Sequence, residues 1–327
     1  MTESAGSSEA AVQAIGLTME FGPVKALENV CFTVRKGEIL GLLGRNGAGK
    51  TTTMRILTTY LVPTTGSARV AGFDILSDAL EVRRRIGYLP ETVPVYAEME
   101  VRDYLRFVGR GRGLGGEHLQ ERMDWVVDKC DIRTVYRRPI GELSKGFRQR
   151  VAMAQALIHD PEILILDEPT SGLDPIQIQG VRSLVRELAA TKTIIFSTHI
   201  LQEIEVMTRR VIVIDGGRLV ADGSVEDLIK KVGLTSRVRV LIEGSRPADV
   251  KIAETLRGVK GVRNVSLSEA DRPETLAFVV TSEPGERIIP GIMADALQGS
   301  WRVVDLRVEE PRLEEAFARL VKGEKTT

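Results

Sequence analysis

Residues 13–43 begin with two strand-like runs, QAIGLTM and NVCFTV, and end in GEILGLL, apolar at nearly every position. Such a filled run marks a strand buried on both faces of a sheet. A glycine-rich turn follows, then TTTMRILTTYL, whose pattern predicts a helix. Two further apolar runs, EILILDE and TKTIIFST, each lead into a helix, across residues 175–190 and near 200–208, and RRVIVID adds another strand. Strands alternating with helices predict an α/β domain on a mostly parallel sheet, extending over residues 13–229. From about 95 to 142 the strand pattern stops, and VRDYLRFV and LQERMDWVVDKC carry apolar residues at helical spacing. This predicts an inserted helical subdomain over about residues 92–160, with GRGRGLGG at 109–116 as the loop between two of its helices.

After residue 229 the pattern changes. VRVLIEG, VRNVSLS and TLAFVV are strand-like, whereas PADVKIAETLRGV and ERIIPGIMADAL, despite Pro290, are helix-like. WRVVDLRVEE alternates, with Val304, Leu306 and Val308 on one face. A last helix, PRLEEAFARLV, starts at Pro311 and sets Leu313, Phe317 and Leu320 on one side. The order βαββαβ plus a helix predicts a small ferredoxin-like α+β domain over residues 236–327. Residues 1–12, MTESAGSSEAAV, lack the basic and apolar regions of a signal peptide and are expected to form a disordered tail.

Composition narrows the function classes. The 327 residues carry 45 basic and 45 acidic side chains, and the balance is local: 17 basic and 15 acidic beyond residue 229, 28 and 30 before it. No basic surplus draws either part onto nucleic acid or an anionic bilayer. No apolar run reaches the roughly 18–20 residues that span a membrane, so no direct membrane insertion is expected. Cys31 and Cys130 form no disulfide framework, and His118, His159 and His199 no metal motif. Of 31 glycines, Gly41, Gly44, Gly47 and Gly49 crowd into nine residues.

Those glycines lie in Gly44-Arg45-Asn46-Gly47-Ala48-Gly49-Lys50-Thr51, which matches G-x-x-x-x-G-K-[ST] between a buried strand and a helix. Glycines let the chain curl close enough for its N–H groups to cradle phosphate, and the following helix adds its positive dipole end. Lys50 is expected to reach the β- and γ-phosphates, and the Thr51 hydroxyl to ligate Mg²⁺. The candidate ATP-binding run thus extends from Gly44 to Thr52. Downstream, Asp167 and Glu168 close the apolar strand ILIL, at the strand end where open α/β sheets bind ligands. Asp167 suits an Mg²⁺ shell, and Glu168 is placed to orient or deprotonate an attacking water.

Four more elements accompany these: LSKGF at 143–147 followed by Arg148-Gln149-Arg150, SGLD at 171–174, His199 closing IIFST, and IGYLPE at 86–91. In order and spacing they closely resemble the nucleotide-binding subunits of ABC transporters, over nearly all of residues 13–229. The resemblance implies ATP hydrolysis with Mg²⁺ in a head-to-tail homodimer that powers a separate transmembrane permease from the cytoplasmic face of the cell membrane. It implies that Ser144 and the Gly146 N–H contact γ-phosphate on the opposite subunit, and that His199 supports the geometry of Glu168 and its water. It further implies that Asp174 communicates across the dimer and that Phe21 stacks on adenine, with a core phenylalanine as the alternative.

Two positions depart from the family pattern. Lys145 and Phe147 stand where Gly and Gln are common, a variant similar to that of ABC-2 type exporters. Glu91 replaces the usual Gln, and its carboxylate can still coordinate Mg²⁺ or water beside Asp167 and Glu168. The C-terminal part is similar to the extension on many ABC-2 subunits, which implies a dimer-stabilising or regulatory role. An ABC-family ATPase acting on the ribosome or DNA is the alternative; its usual second cassette or long coiled coil is not in this sequence. A non-hydrolysing regulator is disfavoured because Lys50, Asp167, Glu168 and His199 are all present.

Overall fold

The computed structural model describes residues 9–234, 237–243, 248–269, 274–283, 288–299, 301–309 and 313–322. The chain divides into two compact units, Met1–Gly223 and Ser224–Thr327.

In the first unit, β1 (Ala10–Phe21) and β2 (Val24–Arg35) form an antiparallel hairpin, with alternate residues buried. β1 starts inside the segment expected to be a tail: Val12 is fully buried and pairs with Val34 and Val70, so residues 10–12 are strand, while residues 1–8 lie outside the described residues. Strand β3 (Ile39–Leu43) leads into helix α1 (Lys50–Leu57), and β4 (Thr65–Val70) and β5 (Phe73–Asp74) complete a four-stranded sheet of order β2-β1-β4-β5. Helix α2 (Ala79–Arg85) and β6 (Ile86–Leu89) precede the helical subdomain of α3 (Val101–Gly111), α4 (Gly116–Lys129) and α5 (Lys145–Leu157). The chain then runs through β7 (Ile163–Asp167), α6 (Pro175–Leu188), β8 (Thr193–Thr198), α7 (Leu201–Met207), β9 (Arg210–Asp215) and β10 (Arg218–Ser224).

The second sheet has the order β10-β9-β3-β8-β7-β6, with β3, β6, β7, β8 and β9 parallel. β7 and β8 are buried at every residue, which their filled apolar pattern requires. A shared core fuses the sheets: Leu17, Leu27, Val34 and Ala68 pack with Leu40, Leu42, Met54, Ile165 and Ile212. Each fully buried Leu or Ile contributes about 1.5–3 kcal/mol. Register aligns Leu43 with Thr198 and Asp167 with Ser197, so the C-terminal ends of β3, β7 and β8 meet on one edge.

The run 109–116 is a loop only at residues 112–115. Gly109 is a buried position of α3, where a Cβ would lie 2.4 Å from Leu119 Cδ1 of α4. Its missing side chain lets two helices approach, which outweighs its weak helix propensity.

The second unit contains α8 (Val225–Lys231), β11 (Arg237–Glu243), α9 (Ala248–Gly258), β12 (Val262–Ser268), β13 (Thr275–Ser282), α10 (Ile289–Gln298), β14 (Val303–Glu309) and α11 (Leu313–Lys322). Its antiparallel sheet, of order β12-β13-β11-β14, is that of a ferredoxin-like fold. α8 belongs here and not with the first unit, because it packs on α11, where the Arg319 guanidinium donates to the Val232 carbonyl at 3.1 Å. Pro290 sits in the first turn of α10, where its missing N–H costs nothing. A register shift between Leu241 and Ile242 pairs Ile242 with Val303, which packs on the core, leaving Val304 exposed and off the face that alternation had it share with Leu306 and Val308. Pro311 lies outside the described residues.

Candidate functional site

The turn between β3 and α1 is built around glycines that no other residue can replace. At Gly49, φ is +110°, and a Cβ would lie 2.6 Å from Leu27 Cδ2 and 2.8 Å from the Ala26 carbonyl; at Gly44 it would lie 2.4 Å from the Ile214 carbonyl. The loop therefore closes tightly, and the unpaired N–H groups of the first turn of α1 face outward from it. Lys50, buried in that turn, donates through Nζ to the carbonyls of Gly44 at 2.8 Å and Arg45 at 3.3 Å.

The acids at the end of β7 meet this turn. Thr51 Oγ1 donates to Asp167 Oδ1 at 3.2 Å, and Lys50 Nζ lies 3.3 Å from Glu168 Oε1. The other oxygen of Glu168, Oε2, lies 2.8 Å from His199 Nδ1. Glu168 is thus gripped on both oxygens while only 7 % exposed. Its backbone has φ +48°, a left-handed conformation rare for a residue with a side chain, and one that costs of order 1–3 kcal/mol. That turn aims the carboxylate into the cleft.

Ser197 pins these two acids together. Its hydroxyl donates to Asp167 Oδ1 at 2.6 Å and accepts from the Glu168 N–H at 3.0 Å. Sequence reasoning missed it; the available signal is a serine and a threonine ending an otherwise apolar strand immediately before His199. Gln149, on α5, secures the same turn by donating to the Pro169 carbonyl at 3.0 Å. Asp167 Oδ2 is buried without a partner. A hard anionic oxygen left bare beside the Thr51 hydroxyl is a donor set suited to a hard cation.

A cleft of about 540 Å³ gathers Asn46, Gly47, Ala48, Gly49, Lys50, Thr51, Thr52, Glu91, Glu168 and His199, with Ala26 and Ser171. Arg45 lies in the adjoining hollow with Asp215 and Gly216. Of the expected site residues, Gly44 and Asp167 sit in the turn and strand end just described, and Phe21, Ser144, Gly146 and Asp174 line neither hollow. Phe21 is 47 % exposed at the tip of the β1–β2 hairpin, so it is not a core phenylalanine. Ser144 caps α5 by accepting from the Phe147 N–H at 3.3 Å, and Asp174 caps α6 by accepting from Ile176 and Gln177 at 3.0 and 2.9 Å. Gly146 is buried against the Gln177 side chain, which any Cβ there would strike at 2.4 Å.

A phosphate-cradling turn and a cleft-facing carboxylate held by a lysine and a histidine can bind a nucleoside triphosphate and activate water against it. Comparison with known proteins specifies this chemistry. The sequence model of the ABC transporter family matches residues 27–171. A daunorubicin resistance ATP-binding protein of Streptomyces coeruleorubidus is 32% identical over 320 residues, covering 96% of each chain. The chain is an ABC transporter ATP-binding subunit. The ABC transporter ATP-binding protein NatA of Bacillus subtilis is 40% identical over 208 residues, 63% of this chain and 84% of that one. A solved ATP-binding subunit of an ABC transporter superposes with a TM-score of 0.64 at 29% identity, covering 68% of this chain and 94% of its own. As an ABC ATPase, the subunit binds and hydrolyses ATP. Among the described residues no helix is long and apolar enough to cross a membrane.

Proposed function

We propose that this subunit drives a separate transmembrane permease in the export direction, from the cytoplasmic face of the membrane, through ATP-dependent head-to-tail pairing of two copies. The observation that carries the pairing is that Ser144 and Gly146, at the capped start of α5, do not line the cleft of their own chain. A second copy supplies a phosphate to that helix start, and closure excludes water from both sites. Similarity along the whole chain to a drug-resistance ATP-binding protein supports export.

Within each site Mg²⁺ would be held by Thr51 and Asp167, with Glu91 within reach in the cleft wall, and would neutralise charge on the phosphate oxygens. Among the described residues no three His, Cys, Asp or Glu side chains converge as a metal cage, which suits an ion whose other ligands are phosphate and water. The γ-phosphate competes with Glu168 for Lys50, so nucleotide binding frees Oε1 to accept the proton of the attacking water. That water's oxygen bonds to phosphorus as the bond to ADP breaks. His199, still on Oε2, keeps the carboxylate in line.

Tagged full-length subunit, recovered from detergent-solubilised membranes, is expected to retain a polytopic membrane protein and to hydrolyse ATP faster in its presence. Retention of ribosomal particles instead would contradict the permease assignment.

A further inference from the structure

Glu203 is 1 % exposed on the short helix α7, one turn past His199, and takes part in no contact with the cleft. It lies in an apolar stripe beside Ile204 and Met207, both buried, where an acid is costly unless it is engaged. Both of its oxygens are engaged, and each serves a different loop. Oε1 accepts from the Thr170 hydroxyl, and Oε2 from the Thr198 hydroxyl at 2.6 Å. Thr170 stands two residues after Glu168, at the end of the strained turn. Thr198 immediately precedes His199, and its Oγ1 also accepts from the Ile200 N–H at 3.0 Å, closing the backbone around His199.

We infer that Glu203 is a positioning residue for hydrolysis, bridging the Glu168 turn to the His199 turn and thereby setting the His199–Glu168 hydrogen bond. The geometry needs a carboxylate. Two hydroxyl donors converge on it from separate loops, and a carboxylate is acceptor-only at both ends. An amide offers one accepting oxygen, so one threonine must turn its hydroxyl to accept from the NH2, and the charge-assisted bond that held its loop is replaced by a weaker neutral one. The left-handed backbone of Glu168 persists only where its surroundings over-determine it. Ser197 holds the near side of that turn, and the Thr170–Glu203 contact holds the far side. The inference rests on the reading that Glu168 and His199 carry the hydrolytic step.

The test uses purified full-length protein, with ATPase kinetics and thermal melting for each variant. Glu203→Gln is expected to lower kcat about tenfold, as loss of a near-attack geometry does, while KM for ATP stays within about twofold and the melting temperature is nearly unchanged. Thr198→Val is expected to behave likewise, whereas Thr198→Ser, which keeps the hydroxyl, retains kcat within about twofold of the parent. A parent-like kcat in Glu203→Gln, or a lower kcat and melting temperature with a raised KM and Thr198→Ser as impaired as Thr198→Val, would overturn the inference. If Glu203→Gln does not fold, Thr170→Val decides: a reduced kcat at parent KM supports the bridge, and a parent kcat sinks it. Glu168→Gln is run alongside. Parent-rate turnover in that variant would remove the underlying reading, a failure distinct from one confined to Glu203.

Discussion

Glu168 holds a lysine on one oxygen and a histidine on the other, in a backbone conformation that side chains avoid. Its support is therefore as consequential as its identity. Ser197→Ala leaves the Glu168 N–H without its buried acceptor, at about 1–3 kcal/mol, and leaves Asp167 Oδ1 with the Thr51 hydroxyl as its remaining donor. We expect a melting temperature several degrees lower and at least a tenfold drop in kcat, measured on the same preparation. Parent-like values for both would show that the serine is idle. Glu91 is a different case: it is exposed, in the wall of the cleft that the buried Glu168 also lines. Glu91→Gln removes one negative charge and keeps an oxygen ligand, so its ATPase rate should stay within about tenfold of the parent, roughly 1.4 kcal/mol in barrier. Complete loss of turnover would show that the carboxylate itself is required.

At the scale of elements, α5 begins on the Ser144 cap, worth about 1 kcal/mol of helix stability. Ser144→Ala should leave ATP binding by the isolated chain unchanged while abolishing ATP-dependent pairing, as equilibrium binding and sedimentation would show. The other end of α5 carries a pH dependence. Burial, reinforced by Arg112, holds the His159 imidazole down at about 4, against 6.5 for the free group; its Nε2–H donates to the Ile86 carbonyl and its Nδ1 is buried without a partner. The unfolded chain therefore takes up a proton that the fold resists. This contribution to stability is whole above pH 6.5 and is lost as pH falls from 6.5 towards 4. His159→Gln should flatten the melting temperature across that window; an unchanged slope would refute the assignment. The buried strands β3, β7 and β8 were legible because nothing but sheet burial explains filled apolar runs ending at charged residues. What periodicity could not reveal was set by tertiary fit: Gly109 stays helical because Leu119 packs on it, and a register shift turns Val303 inward in place of Val304. The positive φ of Glu168 and the bridge through Glu203 were equally hidden, since both depend on loops far apart in the chain.

For the whole molecule, the division falls at Gly223–Ser224, and α8 packs with the second unit through α11. A chain ending after Gly223 should bind ATP within about threefold of the parent, about 0.7 kcal/mol. A chain ending after residue 235 strips α8 of its cover and exposes Leu228 and Val232, both buried in the intact protein; it should aggregate more readily in light scattering. If neither truncated chain binds ATP, the two units are not separable. The balanced charge of the whole chain leaves the site to work through local groups, Lys50 and backbone N–H donors, joined under the proposed pairing by the start of a helix from a second copy. Glu168→Gln, followed by sedimentation with and without ATP and Mg²⁺ alongside phosphate release, separates pairing from hydrolysis. A monomer without nucleotide, a stable dimer with ATP and no turnover are expected. Parent-rate hydrolysis would contradict the role of Glu168, and a monomer at saturating ATP would contradict the pairing.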